Sequence, residues 1–116
     1  GSDFAEDIIP SIFAVFPEVE YDSWFTIGTE NANGDGGVSS VGLQSYLQEF
    51  NTGNGFTVDT YLGGSWFVIP GSNADAIAGD DNKVLVAQLT TDGVVTVVMN
   101  FQYDDDSLNV QNDPLY

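Results

Sequence analysis

The sequence predicts an all-β fold, an antiparallel β-sandwich of jelly-roll or immunoglobulin-like kind with one short helix near 42–51. Three observations lead there. Period-two alternation of apolar and polar residues recurs in short runs. Those runs are divided by Gly-, Asn- and Asp-rich turns. Helical spacing appears once, and the 116 residues, 42% of them hydrophobic, suffice for one core.

Residues 1–19 form an apolar arm in which Pro10 and Pro17 argue against a continuous helix or a central strand. The remainder, 20–116, reads as one sandwich domain. "EYDSWFTIGT" (20–29) alternates as a strand. "TENANGDGG" (29–37) is a loop. In "SSVGLQSYLQEFNTG" the residues Leu43, Tyr46, Leu47 and Phe50 fall on one helical face, with Ser40 as a possible cap and Gly53 as a stop. "GFTVDTYL" and "GSWFVIP" meet at Gly63-Gly64, a hairpin signal. "KVLVAQLTTDGVVTVVMNFQY" (83–103) predicts a second, longer hairpin turning at Asp92-Gly93, with Val95, Val97, Met99, Phe101 and Tyr103 along one face. An edge strand is expected around 108–111.

Composition excludes several functions. With no cysteine, there is neither a disulfide framework nor a thiolate metal site. Without histidine the commonest general base and transition-metal ligand are gone. A hydrolase would then need a carboxylate pair or a metal, and nothing marks out one pair among the acids, so the chain reads as non-enzymatic. Eighteen acids face the single base Lys83, for a net charge of -17. Nucleic acid and anionic membrane surfaces both demand a basic footprint, so neither is a partner. No apolar run reaches transmembrane length. Self-repulsion at this charge calls for salt or divalent cations, which points to a saline, extracellular or cell-surface setting.

Through "FPEVEYDSWFTIG", "GGSWFVIPG" and "AGDDNKVLVAQLTTDG" the chain resembles a β-rich module of large secreted proteins of marine bacteria. The likeness runs from about Phe16 to Gln102. It implies a β-rich fold and a secreted or surface location, and it carries no catalytic residues over.

Four features carry candidate chemistry. In "TENANGDGG", Asn31, Asn33, Asp35 and Gly36 follow the start of an EF-hand loop, but Gly42 stands where the bidentate Glu belongs, so the stretch reads as a surface turn. The better calcium candidate is Asp80, Asp81, Asp104, Asp105 and Asp106, which the long hairpin would bring to one edge; the bland alternative is a solvated acidic rim. Trp24 and Trp66 could stack on sugars, and surface glycans would then be the partner; large aromatics in strands also serve as core. Finally, the arm carries Ile8, Ile9, Ile12, Phe13, Val15 and Phe16, which either cover their own sandwich or add to a neighbouring copy. A head-to-tail exchange of that kind gives a filament. The sequence therefore favours a structural subunit of an extracellular filament, matrix or adhesin, assembling with copies of itself through its arm. A carbohydrate-binding module is the alternative.

Overall fold

The computed structural model describes residues 4–104 and 110–114. Proline decides how the chain begins. Pro10 and Pro17 each stand in the first turn of a 3-10 segment, Pro10–Ala14 and Pro17–Tyr21, after an earlier one at Ala5–Asp7. The fixed φ of proline suits that position, and its missing N–H costs nothing there. The arm is thus a staircase of 3-10 turns, joined to the body by a parallel bridge from Phe4 to Phe25.

The expected β-sandwich is not formed. Among the described residues, six short strands pair as three separate two-stranded antiparallel ladders: β1 (Trp24–Phe25) with β4 (Ala87–Gln88), β2 (Ser39–Val41) with β3 (Ser65–Phe67), and β5 (Asn100–Asp104) with β6 (Val110–Pro114). A sandwich needs two multi-stranded sheets that bury their facing sides. Here no two ladders share a strand, and both exposed-face and half-buried residues dominate within them.

Both predicted hairpins are also replaced by other pairings. The first half of the long valine-rich unit gives its central residues to Trp24 and Phe25, with Trp24 opposite Gln88. Its second half pairs forward, with Tyr103 opposite Gln111, so the tail strand lies at 110–114. Just before Gly63-Gly64 the chain turns at Tyr61-Leu62, the Gly63 N–H donating to the Thr60 carbonyl at 3.0 Å, but "SWF" then runs along Ser39–Val41. Only Trp24–Phe25 of the 20–29 run is strand, because the 3-10 segment from Pro17 extends to Tyr21.

The helix appears as expected, as α1 (Gln44–Asn51). Leu43 and Leu47 are buried, and Tyr46 and Phe50 are half-buried on the same face. Ser40 lies in β2 and does not cap it; Leu43 occupies the N-cap without a side-chain bond. Gly53, at φ +92, follows the C-cap Thr52 and donates its N–H to the Phe50 carbonyl. The turn from β2 into α1 depends on Gly42, at φ +70, where a Cβ would run into the Gly63 carbonyl oxygen.

The core is split in two. Ala5, Ile8 and Trp24 form one cluster, with Phe13 and Val19 packed against it. Phe25, Leu43 and Leu47 form the other, joined by Phe50, Phe56 and Trp66. Phe25 is the hub of the second: its ring centre lies 4.7 Å from Phe50, 4.9 Å from Trp66 and 6.0 Å from Phe56. Phe25→Ala is therefore expected to lower unfolding free energy by about 4 kcal/mol in a urea titration, against about 0 for the fully exposed Tyr61→Ala.

Candidate functional site

Two features outside the core are built by several elements at once: an apolar ridge on the arm and a polar clasp beneath it. The ridge follows from 3-10 geometry, in which residues three apart lie in line. The Ile12 N–H donates to the Ile9 carbonyl and the Val15 N–H to the Ile12 carbonyl, each at 3.0 Å. Ile9, Ile12 and Val15 consequently stack along one edge, all exposed, with Phe16 beside them. The six arm residues thus divide. Ile8, at 4% exposure, packs on Trp24 in its own subunit, and Phe13 leans on that cluster, while Val15 keeps 71% of its surface in water.

The clasp involves the loop at 29–37, which the sequence suggests is a surface turn. It lies at the surface, with Thr29 and Gly36 buried, and is tied down from two sides. The Thr29 hydroxyl, fully buried, donates to Asp75 Oδ2 at 3.0 Å and accepts the Gly36 N–H at 3.0 Å. The Asp35 N–H donates to that same Asp75 oxygen at 2.9 Å, and the Ala74 N–H returns the bond to Asp35 Oδ2 at 2.8 Å. Asn73 is buried, donates through Nδ2 to the Gly36 carbonyl and caps its own 3-10 turn by accepting the Asp75 N–H. From the arm, Glu6 Oε2 accepts the Gly37 N–H at 2.6 Å, and the Ile8 carbonyl accepts the Ala32 N–H at 2.7 Å. Three carboxylates are thereby held by backbone N–H donors rather than by basic side chains, which suits a chain with a single base. Gly28, at φ +83, lets the Asp75 backbone approach where a Cβ would collide with it.

The clasp was not evident from sequence because its partners lie some forty positions apart. The one local signal was the pair Asn73 and Asp75, spaced for a capping turn.

Of the proposed calcium ligands, Asp80, Asp81 and Asp104 fall within the described residues. Asp80 and Asp81 lie in a turn closed by the Asn82 N–H to the Gly79 carbonyl, and Asp81 Oδ1 accepts the Lys83 N–H at 3.2 Å. Asp104 ends β5, and Asp105 and Asp106 lie outside the described residues. The hairpin that was to bring these acids to one edge is replaced by other pairings. Among the described residues no group of three or more acids is arranged to hold a metal ion.

Trp24 and Trp66 do not make an open platform. Trp24 is buried in the arm cluster, and Trp66 packs on Phe25 with its indole N–H donated to the Thr26 carbonyl at 2.9 Å. Between the arm and the β1–β4 ladder lies a crevice of about 450 Å³, walled by Ile8, Phe13, Trp24 and Leu85 with Glu20 and Glu30 at its rim.

Removing the clasp's central acceptor tests its weight. Asp75→Ala strands the Thr29 hydroxyl and the Asp35 N–H, and is expected to cost about 3 kcal/mol in urea unfolding. Asp80→Ala and Asp81→Ala should each stay within about 0.5 kcal/mol of the parent.

Comparison with known proteins finds no matching family model, no matching curated protein and no matching solved structure.

Proposed function

We propose that this chain is a non-enzymatic structural subunit of an extracellular filament, matrix or adhesin, joined to copies of itself through the N-terminal arm. The observation that carries the reading is the Ile9–Ile12–Val15 ridge. Its inner neighbour Ile8 anchors the arm to its own subunit, so the ridge is presented on a fixed support rather than on a loose tail. An ordered apolar stripe loses little entropy on docking, which favours association.

A broader imbalance supports the same reading. The chain exposes 8275 Å² of surface. A compact monomer of this size exposes about 6,100 Å², so roughly 2,000 Å² remains for contacts. A standard interface needs about 800 Å² from each partner.

Charge sets the conditions. At -17 per subunit, copies repel until salt screens them. The Debye length falls from about 10 Å at 0.1 M to about 3 Å at 1 M, so saline or calcium-containing water favours assembly. A seawater-like setting outside the cell fits that need. No helix among the described residues is long and apolar enough to cross a membrane. The carbohydrate-binding alternative has no comparable support, since both tryptophans are engaged in packing.

Sedimentation velocity in dilute buffer and in about 0.5 M NaCl tests the proposal. The parent chain should gain mass with salt, and Val15→Asp or Ile12→Asp should show no such gain, with unchanged circular dichroism. A parent chain that stays monomeric in salt, or arm variants that assemble like the parent, would overturn it.

A further inference from the structure

The segment following Asp92-Gly93 reads Val94-Val95-Thr96-Val97-Val98, the same in both directions about Thr96. It makes no backbone hydrogen bond with any described residue, although β5 begins just beyond it at Asn100. Its exposure still alternates in the manner of a strand. Val94 and Val98 are 96% and 70% exposed, and Val95 and Val97 are 49% and 48% exposed. A valine-rich stretch whose N–H and C=O groups find no partner among the described residues is a template for another strand.

We propose that Val94–Val98 pairs with the same segment of a second copy of this chain, antiparallel, across a twofold axis through Thr96. The palindrome specifies that partner. Opposite residues in an antiparallel pair share a face, so a twofold through Thr96 sets Val94 against Val98, Val95 against Val97, and Thr96 against its own counterpart. Every apolar position then meets an apolar position, and the one polar position meets a threonine, a favourable cross-strand pair.

Charge selects the orientation. In the antiparallel register Asp92 lies opposite Asn100, whereas a parallel in-register pair would set Asp92 against Asp92 and Asp104 against Asp104. On a chain already at -17 the second arrangement is penalised and the first is not. The surplus of roughly 2,000 Å² exceeds the ~800 Å² per partner of a standard interface, so a five-residue strand pair leaves the arm ridge free for a different neighbour. This contact is isologous and closes on a pair, whereas the arm contact runs head to tail; together they give an extended assembly whose repeating unit is a dimer. The inference rests on the subunit reading only in taking a copy of the chain as the partner.

Single cysteines test it, because the chain has none of its own. Directly opposite residues have Cα atoms about 4.5 or 5.5 Å apart, within the span of about 4.4 to 6.8 Å that a disulfide bridges. Thr96→Cys should therefore become a covalent dimer on mild oxidation. Val94→Cys should not, since its own counterpart would lie about 14 Å away along the strands. Val94→Cys mixed with Val98→Cys should cross-link. The double change Thr96→Pro with Val97→Pro removes a pairing N–H whichever kind of pair Thr96 makes, and should abolish the sedimenting dimer while leaving circular dichroism unchanged.

Equal cross-linking of Thr96→Cys and Val94→Cys would overturn the register. A dimer that survives Thr96→Pro with Val97→Pro, or one that is lost in Val15→Asp with the Thr96→Cys cross-link lost alongside it, would show that something other than self-pairing covers the strand. Loss of salt-driven growth in Val15→Asp, with the Thr96→Cys dimer retained, is the expected pattern. Growth retained in Val15→Asp with that same dimer present would fail the arm reading alone.

Discussion

The two faces of a two-residue strand hold this molecule together. Trp24 and Phe25 are adjacent, so β-geometry sends their rings in opposite directions. Trp24 enters the cluster made by Ala5 and Ile8, and Phe25 enters the one made by Leu43 and Leu47. β1 joins the arm and the helix, and Phe4 of the arm packs against the second cluster as well. The carbonyl of the next residue, Thr26, takes the Trp66 indole N–H, and its N–H reaches the Val86 carbonyl. One short stretch thus connects the arm, the helix, β3 and the segment before β4.

Such economy leaves a thin interior. With apolar burial divided between two small clusters, polar bonding takes a larger share of the work. The clasp around Thr29, Asn73 and Asp75 supplies it, replacing absent basic partners with backbone N–H donors. Buried polar groups are costly unless paired, and no buried side-chain polar atom among the described residues lacks a partner. The deficit appears at the surface instead, as the arm ridge and the unpaired valines. A chain whose own fold leaves these in water gains stability from a neighbour that covers them.

The parts that could be read from sequence were those set by local spacing. The helix at 44–51 followed from Leu43, Leu47 and Phe50 at helical intervals, and the prolines ruled out a continuous helix in the arm. The divided roles of Ile8 and Val15 could not be read, since a threefold repeat hides inside a run of apolar residues. The hairpins were misjudged for a different reason. The chain does bend at Asp92-Gly93 and turn just before Gly63-Gly64, but a turn does not oblige its flanks to pair with each other. Ala87–Gln88 found Trp24–Phe25, where burial of two aromatic rings outweighs the entropy of a longer loop. The clasp was invisible because Asp35 and Asp75 look like any other acids until the fold brings their loops together.

That a neighbouring copy completes the subunit is the central claim, and the dependence of its melting temperature on protein concentration tests it most directly. In saline, a chain stabilised by association should melt at higher temperature as concentration rises over a roughly hundredfold range, because dilution favours the less stable monomer. A melting temperature that stays constant over that range would show a subunit sufficient in itself, and would contradict the account.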